Sequence, residues 1–156
     1  MQTQQVEQRI AACALITNDE GKILLFPSQD KILGEPGKWE LPYDEVQSNE
    51  KIVGAIIRQL KSKQIDVVIG RWLGYYEQII LHVGQPQYWL IQTHLCKFVN
   101  ANSMSENLHA TWFSFSEISN MRELQLLTIV TQDTIEALKI VEAEGWFRQH
   151  GFLRSL

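Results

Sequence analysis

Cysteine is scarce in this chain: two in 156 residues, Cys13 and Cys96, each inside an apolar run and neither in a C-x-x-C pair. That excludes a disulfide scaffold and a cysteine-rich metal site, and leaves two reduced core thiols as the expectation. Charge of one sign is also lacking. The formal net charge is −4 and charged residues make up 21%, so no global field draws the chain to nucleic acid or anionic lipid. No run approaches the roughly 18 apolar residues that cross a bilayer. The opening MQTQQVEQR is polar and without a signal-peptide core, so a cytoplasmic protein is expected. Phosphate-binding glycine loops of the G-x-x-x-x-G-K or G-x-G-x-x-G kind are missing, as is a G-x-S-x-G elbow. The four histidines, His82, His94, His109 and His150, have no metal-ligand spacing to other histidines, cysteines or acids.

What is present suits one globular domain: 45% hydrophobic residues in a chain of ordinary domain length. Residues 1–8 read as a Gln-rich lead-in and 9–156 as a single domain. Arg9–Thr17 (RIAACALIT) and Lys22–Phe26 (KILLF) flank the turn signal Asn18-Asp19-Glu20-Gly21, which predicts a hairpin. Pro27–Lys38 carries Pro27, Gly34, Pro36 and Gly37 and reads as an irregular loop. Trp39–Pro42 is a short extended piece.

Apolar residues at 52, 53, 56, 57 and 60 predict an amphipathic helix over Glu50–Lys63, with Ser48 or Asn49 as its cap. Gly54 inside it implies either close packing or a weaker helix. Three β-type stretches follow, Asp66–Ile69, Trp72–Leu81 and Tyr88–Val99, the last two joined by a turn over His82–Gln87. After a polar loop, Asn100–His109, come a short strand at Ala110–Phe115, a helical turn at Ser116–Asn120 and a helix over Thr131–Glu144. That order fits an α+β or α/β/α sandwich rather than a βαβ repeat.

Gly37-Lys38-Trp39-Glu40-Leu41-Pro42 before the middle helix resembles the W-x-L-P-G approach to the box of the Nudix hydrolases. That box reads G-x5-E-x7-R-E-U-x-E-E-x-G-U, with U a bulky aliphatic residue. Started at position 44, it places Glu50 on its first glutamate, Arg58 on its arginine and Leu60 on its first U. Thr111-Trp112-Phe113-Ser114-Phe115-Ser116-Glu117-Ile118 looks like the family's closing W-F-x-x-x-E-U segment. The resemblance covers roughly residues 9–145 and implies a Nudix-type α/β/α sandwich: a mixed sheet, a box helix and a C-terminal helix.

Three of the nine defined box positions match: 50, 58 and 60. Asp44 stands for glycine, Gln59 for the glutamate after arginine, Ser62 and Lys63 for the paired glutamates, Ile65 for glycine and Asp66 for the last U. Positions 59, 62 and 63 share a helix face. Three glutamates there would offer hard oxygen ligands to Mg²⁺, which would polarise a diphosphate and activate water. This chain turns a local charge of about −3 into about +1, so catalysis by the standard mechanism is not expected and neither is a resident metal. Glu50 and Arg58 remain as a structural pair. Lys63 reads either as a point-charge partner for phosphate or as a surface lysine.

A relocated acid set of Asp44, Glu45 and Glu106 is the one route to a magnesium site; the alternative is that all three are solvated turn acids. Among the strand aromatics, most of which strand alternation sends into the core, Tyr76 and Trp89 are candidates to line a ligand pocket beside Lys63. The first functional expectation is a non-catalytic module that takes a nucleotide-like ligand or a protein partner, with no direct nucleic-acid or membrane contact. The second is a divergent hydrolase of nucleoside diphosphate derivatives. A third, the sensor domain of a transcriptional regulator, would need a DNA-binding domain from another chain.

Overall fold

The computed structural model describes residues 6–29, 34–101 and 109–137. Strand β1 (Glu7–Thr17) runs through the middle of a mixed sheet ordered β3-β2-β1-β6-β5. The other strands are β2 (Ile23–Pro27), β3 (Trp39–Glu40), β4 (Tyr43–Glu45), β5 (Ile65–His82), β6 (Gln85–Ala101) and β7 (Thr111–Phe113). β1 pairs in parallel with β6 and antiparallel with β2 and β4, while β7 extends the sheet beyond β2. Helix α1 (Ile52–Ser62) packs on one face; α2 (Phe115–Glu123) and α3 (Ile129–Ala137) pack on the other. Both faces of β1 are therefore covered. That is why Ala11–Thr17 is buried throughout and reads as an unbroken apolar run rather than an alternation.

The two cores follow the strand period. Ala11, Cys13 and Leu15 join Leu25, Ile91, Leu95, Ile118 and Ile135 below α2 and α3. Ala12, Ala14 and Ile16 join Ala55, Ile56, Leu60 and Cys96 below α1. Cys13 and Cys96 are buried and unbridged, and burial pushes both thiols up to about 12, which leaves them unreactive.

Several boundaries differ from the sequence reading. Glu7 and Gln8, expected in the lead-in, pair with Gln87 and Tyr88 of β6. The stretches at 66–69 and 72–81 are one strand. Gly70-Arg71 looked like a break but forms a bulge in the β5–β6 ladder, and a second irregularity falls at Gly74 inside the expected strand. The turn expected over His82–Gln87 narrows to Val83-Gly84, with φ of 51° and 73°, the two positive values of a tight hairpin turn. Asn18 behaves as predicted: its side-chain carbonyl accepts from the Glu20 and Lys22 amides, and Gly21 takes φ 76°.

α1 starts two residues later than expected. Its N-cap is Lys51, which makes no side-chain cap, while Asn49 is spent on a left-handed turn at φ 63°. The expected turn at Ser116–Asn120 is a full helix, α2, started by a capping box: Ser114 accepts from the Glu117 amide, and Glu117 accepts from that of Ser114. The C-terminal helix is seen as Ile129–Ala137; its expected continuation to Glu144 lies outside the described residues. β3 is tied to the α2–α3 link by Trp39 N to Leu126 O at 2.9 Å and Thr128 N to Trp39 O at 3.0 Å. No helix among the described residues is long and apolar enough to cross a membrane.

At Gly54 a Cβ would meet the Glu50 Cγ at 3.7 Å, an ordinary contact. Of the two readings of this glycine, the weaker helix applies. Gly54→Ala should raise unfolding free energy by up to about 1 kcal/mol in urea denaturation; a loss of stability would show instead that the position cannot take a methyl group.

Candidate functional site

Arg58 organises the start of the site. Its guanidinium donates to both Glu50 carboxylate oxygens, at 2.8 and 3.0 Å, to Asp44 Oδ2 at 2.9 Å and to the Glu45 carbonyl at 2.9 Å. Eight residues separate Arg58 from Glu50, and they meet because the chain at 46–51 folds back along α1. The Gln47 amide donating to Glu50 Oε1 closes that turn. The Arg58 fork holds the Glu50 carboxyl below the usual carboxylate range and keeps its own guanidinium charged.

The acids considered for a relocated centre have other partners. Asp44 bonds to Arg58, and Glu45 accepts two hydrogen bonds from the Arg9 guanidinium on β1. Glu106 lies outside the described residues. Among those described, no cluster of three or more His, Cys, Asp or Glu side chains forms.

The helix face carrying Gln59, Ser62 and Lys63 divides into an inner and an outer part. Gln59 is 1% exposed, and its Nε2 donates to the Ala12 carbonyl of β1 at 2.8 Å; its Oε1 is buried without a partner. The small side chains of Ala12 and Ala14 leave room for that approach. Ser62 donates to the Gln59 carbonyl at 2.6 Å. Lys63 ends the helix, with its ammonium 5.8 Å from the centre of the Phe26 ring.

Here the structure holds a cavity of about 250 Å³ lined by Phe26, Pro27, Gln29, Glu40, Pro42, Tyr43, Ser62 and Lys63. Glu40 is nearly buried and accepts from Ser28 Oγ at 3.2 Å. Tyr43 is pushed up by burial and by the Glu40 charge, so its phenol stays protonated and can donate. The cavity thus offers an ammonium, a phenol, a hydroxyl and one carboxylate beside apolar walls.

Of the three candidate ligand contacts, Lys63 lines this cavity and the other two do not. Trp89 is 3% exposed in the core below α2 and α3; its Nε1 donates to Gln87 and its ring lies 4.7 Å from the Arg9 guanidinium carbon. Tyr76 donates to Asp133 of α3 at 2.9 Å; burial and that bond raise its phenol to about 12. Both tie the sheet to its surroundings. Sequence reasoning missed Glu40 and Tyr43, although both belong to the W-E-L-P-Y segment. A glutamate between Trp39 and Leu41 in an extended piece was the available sign of a buried acid.

The magnesium that the resemblance implies does not fit this donor set. A carboxamide already spent on a backbone carbonyl, a hydroxyl spent on its own helix and an ammonium replace three hard anionic oxygens. Gln59→Glu tests this packing. The carboxylate would face the Ala12 carbonyl with no proton to give, at a cost of about 3 kcal/mol near neutral pH. Burial raises the folded-state pKa of such an acid above the unfolded value of about 4.3. The loss should therefore be small near pH 4 and grow as pH rises. A variant as stable as wild type at pH 7 would show that side chain rotating out to solvent.

No protein-family model matches the chain, and comparison with curated proteins returns no match. Solved structures do match. A MutT protein from Methanosarcina mazei Go1 superposes with a TM-score of 0.67 at 19% identity, covering 88% of this chain and 96% of the other. A Nudix hydrolase from Nitrosomonas europaea gives 0.65 at 20%, covering 83% and 87%. A MutT Nudix hydrolase from Burkholderia pseudomallei gives 0.64 at 23%, covering 83% and 97%. With the mixed sheet between α1 on one side and α2 and α3 on the other, the chain has the Nudix fold.

Proposed function

We propose that this chain is a Nudix-fold binding module, which takes a nucleotide-like ligand or a protein partner without metal-dependent hydrolysis. The observation that carries the reading is the state of the box-helix face. Gln59 is consumed in holding α1 against β1, and Lys63 occupies the cavity edge where a metal-binding glutamate would stand. A cation at that place repels a divalent metal and attracts a phosphate or carboxylate.

Cavity size supports a partial rather than an engulfed ligand. At about 250 Å³ it is below the roughly 300–1,000 Å³ of pockets that surround a drug-sized molecule. One end of a nucleotide-like ligand fits, with Lys63 and the Tyr43 phenol as donors. Glu40 in the same cavity discriminates against a fully anionic occupant and suits one that also carries a hydroxyl or amine donor.

Isothermal titration with Mg²⁺ or Mn²⁺ should give no binding at micromolar strength, and a thermal-shift screen of nucleotides and sugar nucleotides should find ligands whose effect is the same with and without metal. Lys63→Glu should abolish such a shift. Tight, specific metal binding would sink the reading. Metal-dependent turnover lost on substituting Asp44, Glu45 or Glu106 by alanine would favour a divergent hydrolase of nucleoside diphosphate derivatives instead.

A further inference from the structure

The two layers that sandwich the sheet are unequal to its length. α1, with 11 residues, is about 17 Å long, whereas the 18 residues of β5 extend over about 60 Å. The core under α1 takes in Ile65, Val67, Ile69, Cys96 and Phe98 at one end of the β5–β6 hairpin, and no residue from Tyr75 to Leu81. On the α1 side the far half of the hairpin is bare among the described residues.

That bare face is apolar. Trp72 is 49% exposed, Tyr75 51%, Ile79 67% and Leu81 75%; Ile10 continues the surface across Leu90 onto β1. Trp72 stacks on Tyr75 with ring centres 6.4 Å apart and donates to Gln92 at 2.7 Å, which fixes the aromatic end of the patch. The facing residues of β6 are Pro86, Tyr88, Leu90 and Gln92. The one charged side chain in this stretch, Glu77, is engaged by the Tyr88 hydroxyl. Charge is thus depleted where apolar surface is concentrated, the composition of an interface centre.

We infer that this face of the β5–β6 hairpin is where two copies of the chain pack together about a twofold axis. A partner for it must be flat, apolar and nearly uncharged, and the same face of a second copy meets those terms. Twofold packing of one patch on itself needs no second surface. Area supports the same occupant. At about 200 Å² per large side chain, these exposures amount to roughly 550 Å² per chain, at the upper end of what a monomer leaves uncovered. Two such faces stacked as sheet on sheet would remove about 1,100 Å², above the roughly 1,000 Å² that a specific interface needs. The Lys63 cavity contributes no residue to this face, so the inference is independent of the ligand reading.

Sedimentation equilibrium of the full chain over a wide concentration range tests the inference, beside Ile79→Arg and Leu81→Arg. Both positions are exposed, so the variants should keep the wild-type circular dichroism and the melting temperature that the wild type shows at concentrations where it is monomeric. Wild type should reach twice the 18.0 kDa chain mass, and each variant should weaken association by at least about 30-fold. A wild type that stays at one chain mass overturns the proposal. So does a dimer whose dissociation constant neither arginine changes. Amide exchange of Tyr75–Leu81 identifies another occupant: protection independent of concentration in a monomer means that the chain's own residues beyond 137 cover the face.

Discussion

The Arg58 guanidinium joins three pieces of chain: β4 through Asp44 and the Glu45 carbonyl, the folded-back segment through Glu50, and α1 on which it stands. A planar fork with five donors is the side chain that can satisfy two carboxylates and a carbonyl at once; a lysine ammonium has neither the reach nor the geometry. Because the segment at 46–51 is fixed this way, α1 needs no side-chain N-cap at Lys51. The orientation of α1 in turn decides which of its residues face β1 and which face the cavity.

That orientation places Gln59 inward and Lys63 at the cavity. An uncharged amide suits the inward position, because it can donate to the Ala12 carbonyl while buried, which an ionised acid cannot do. The Arg58 brace and the Gln59 contact are thus two halves of one arrangement. The first keeps the helix where the Nudix fold puts it; the second fastens that helix to the sheet with groups unsuited to hold a metal.

Much of this arrangement was legible in the residues. The apolar run of β1, the Asn18–Gly21 turn and the 3.6-residue period of α1 are local signals, and each gave its element within a few residues. The pairing of Glu50 with Arg58 followed from the resemblance. Other features depended on tertiary packing. Gly70-Arg71 looked like a strand break, yet the long partner β6 carries the ladder across it as a bulge. Trp89 looked available to a ligand, but strand alternation places it inward against Arg9. Glu40 gave no periodic signal, since a two-residue strand has none, and its burial comes from what folds over it.

The parallel pairing of β1 with β6 carries a consequence for the order in which the chain folds. Gln87 donates to Glu7 across 80 residues of sequence, so closing that contact in an otherwise open chain costs far more entropy than closing a hairpin. The β5–β6 hairpin needs only a two-residue turn and pairs Ile80 with Gln87 and His82 with Gln85. It can form from contacts near in sequence, on the microsecond scale of hairpins. β1 must then dock against an edge that already exists. Loop closure thus makes the arrival of the N-terminal strand a costlier step in entropy than the closing of the hairpin, although that strand is central in the finished sheet.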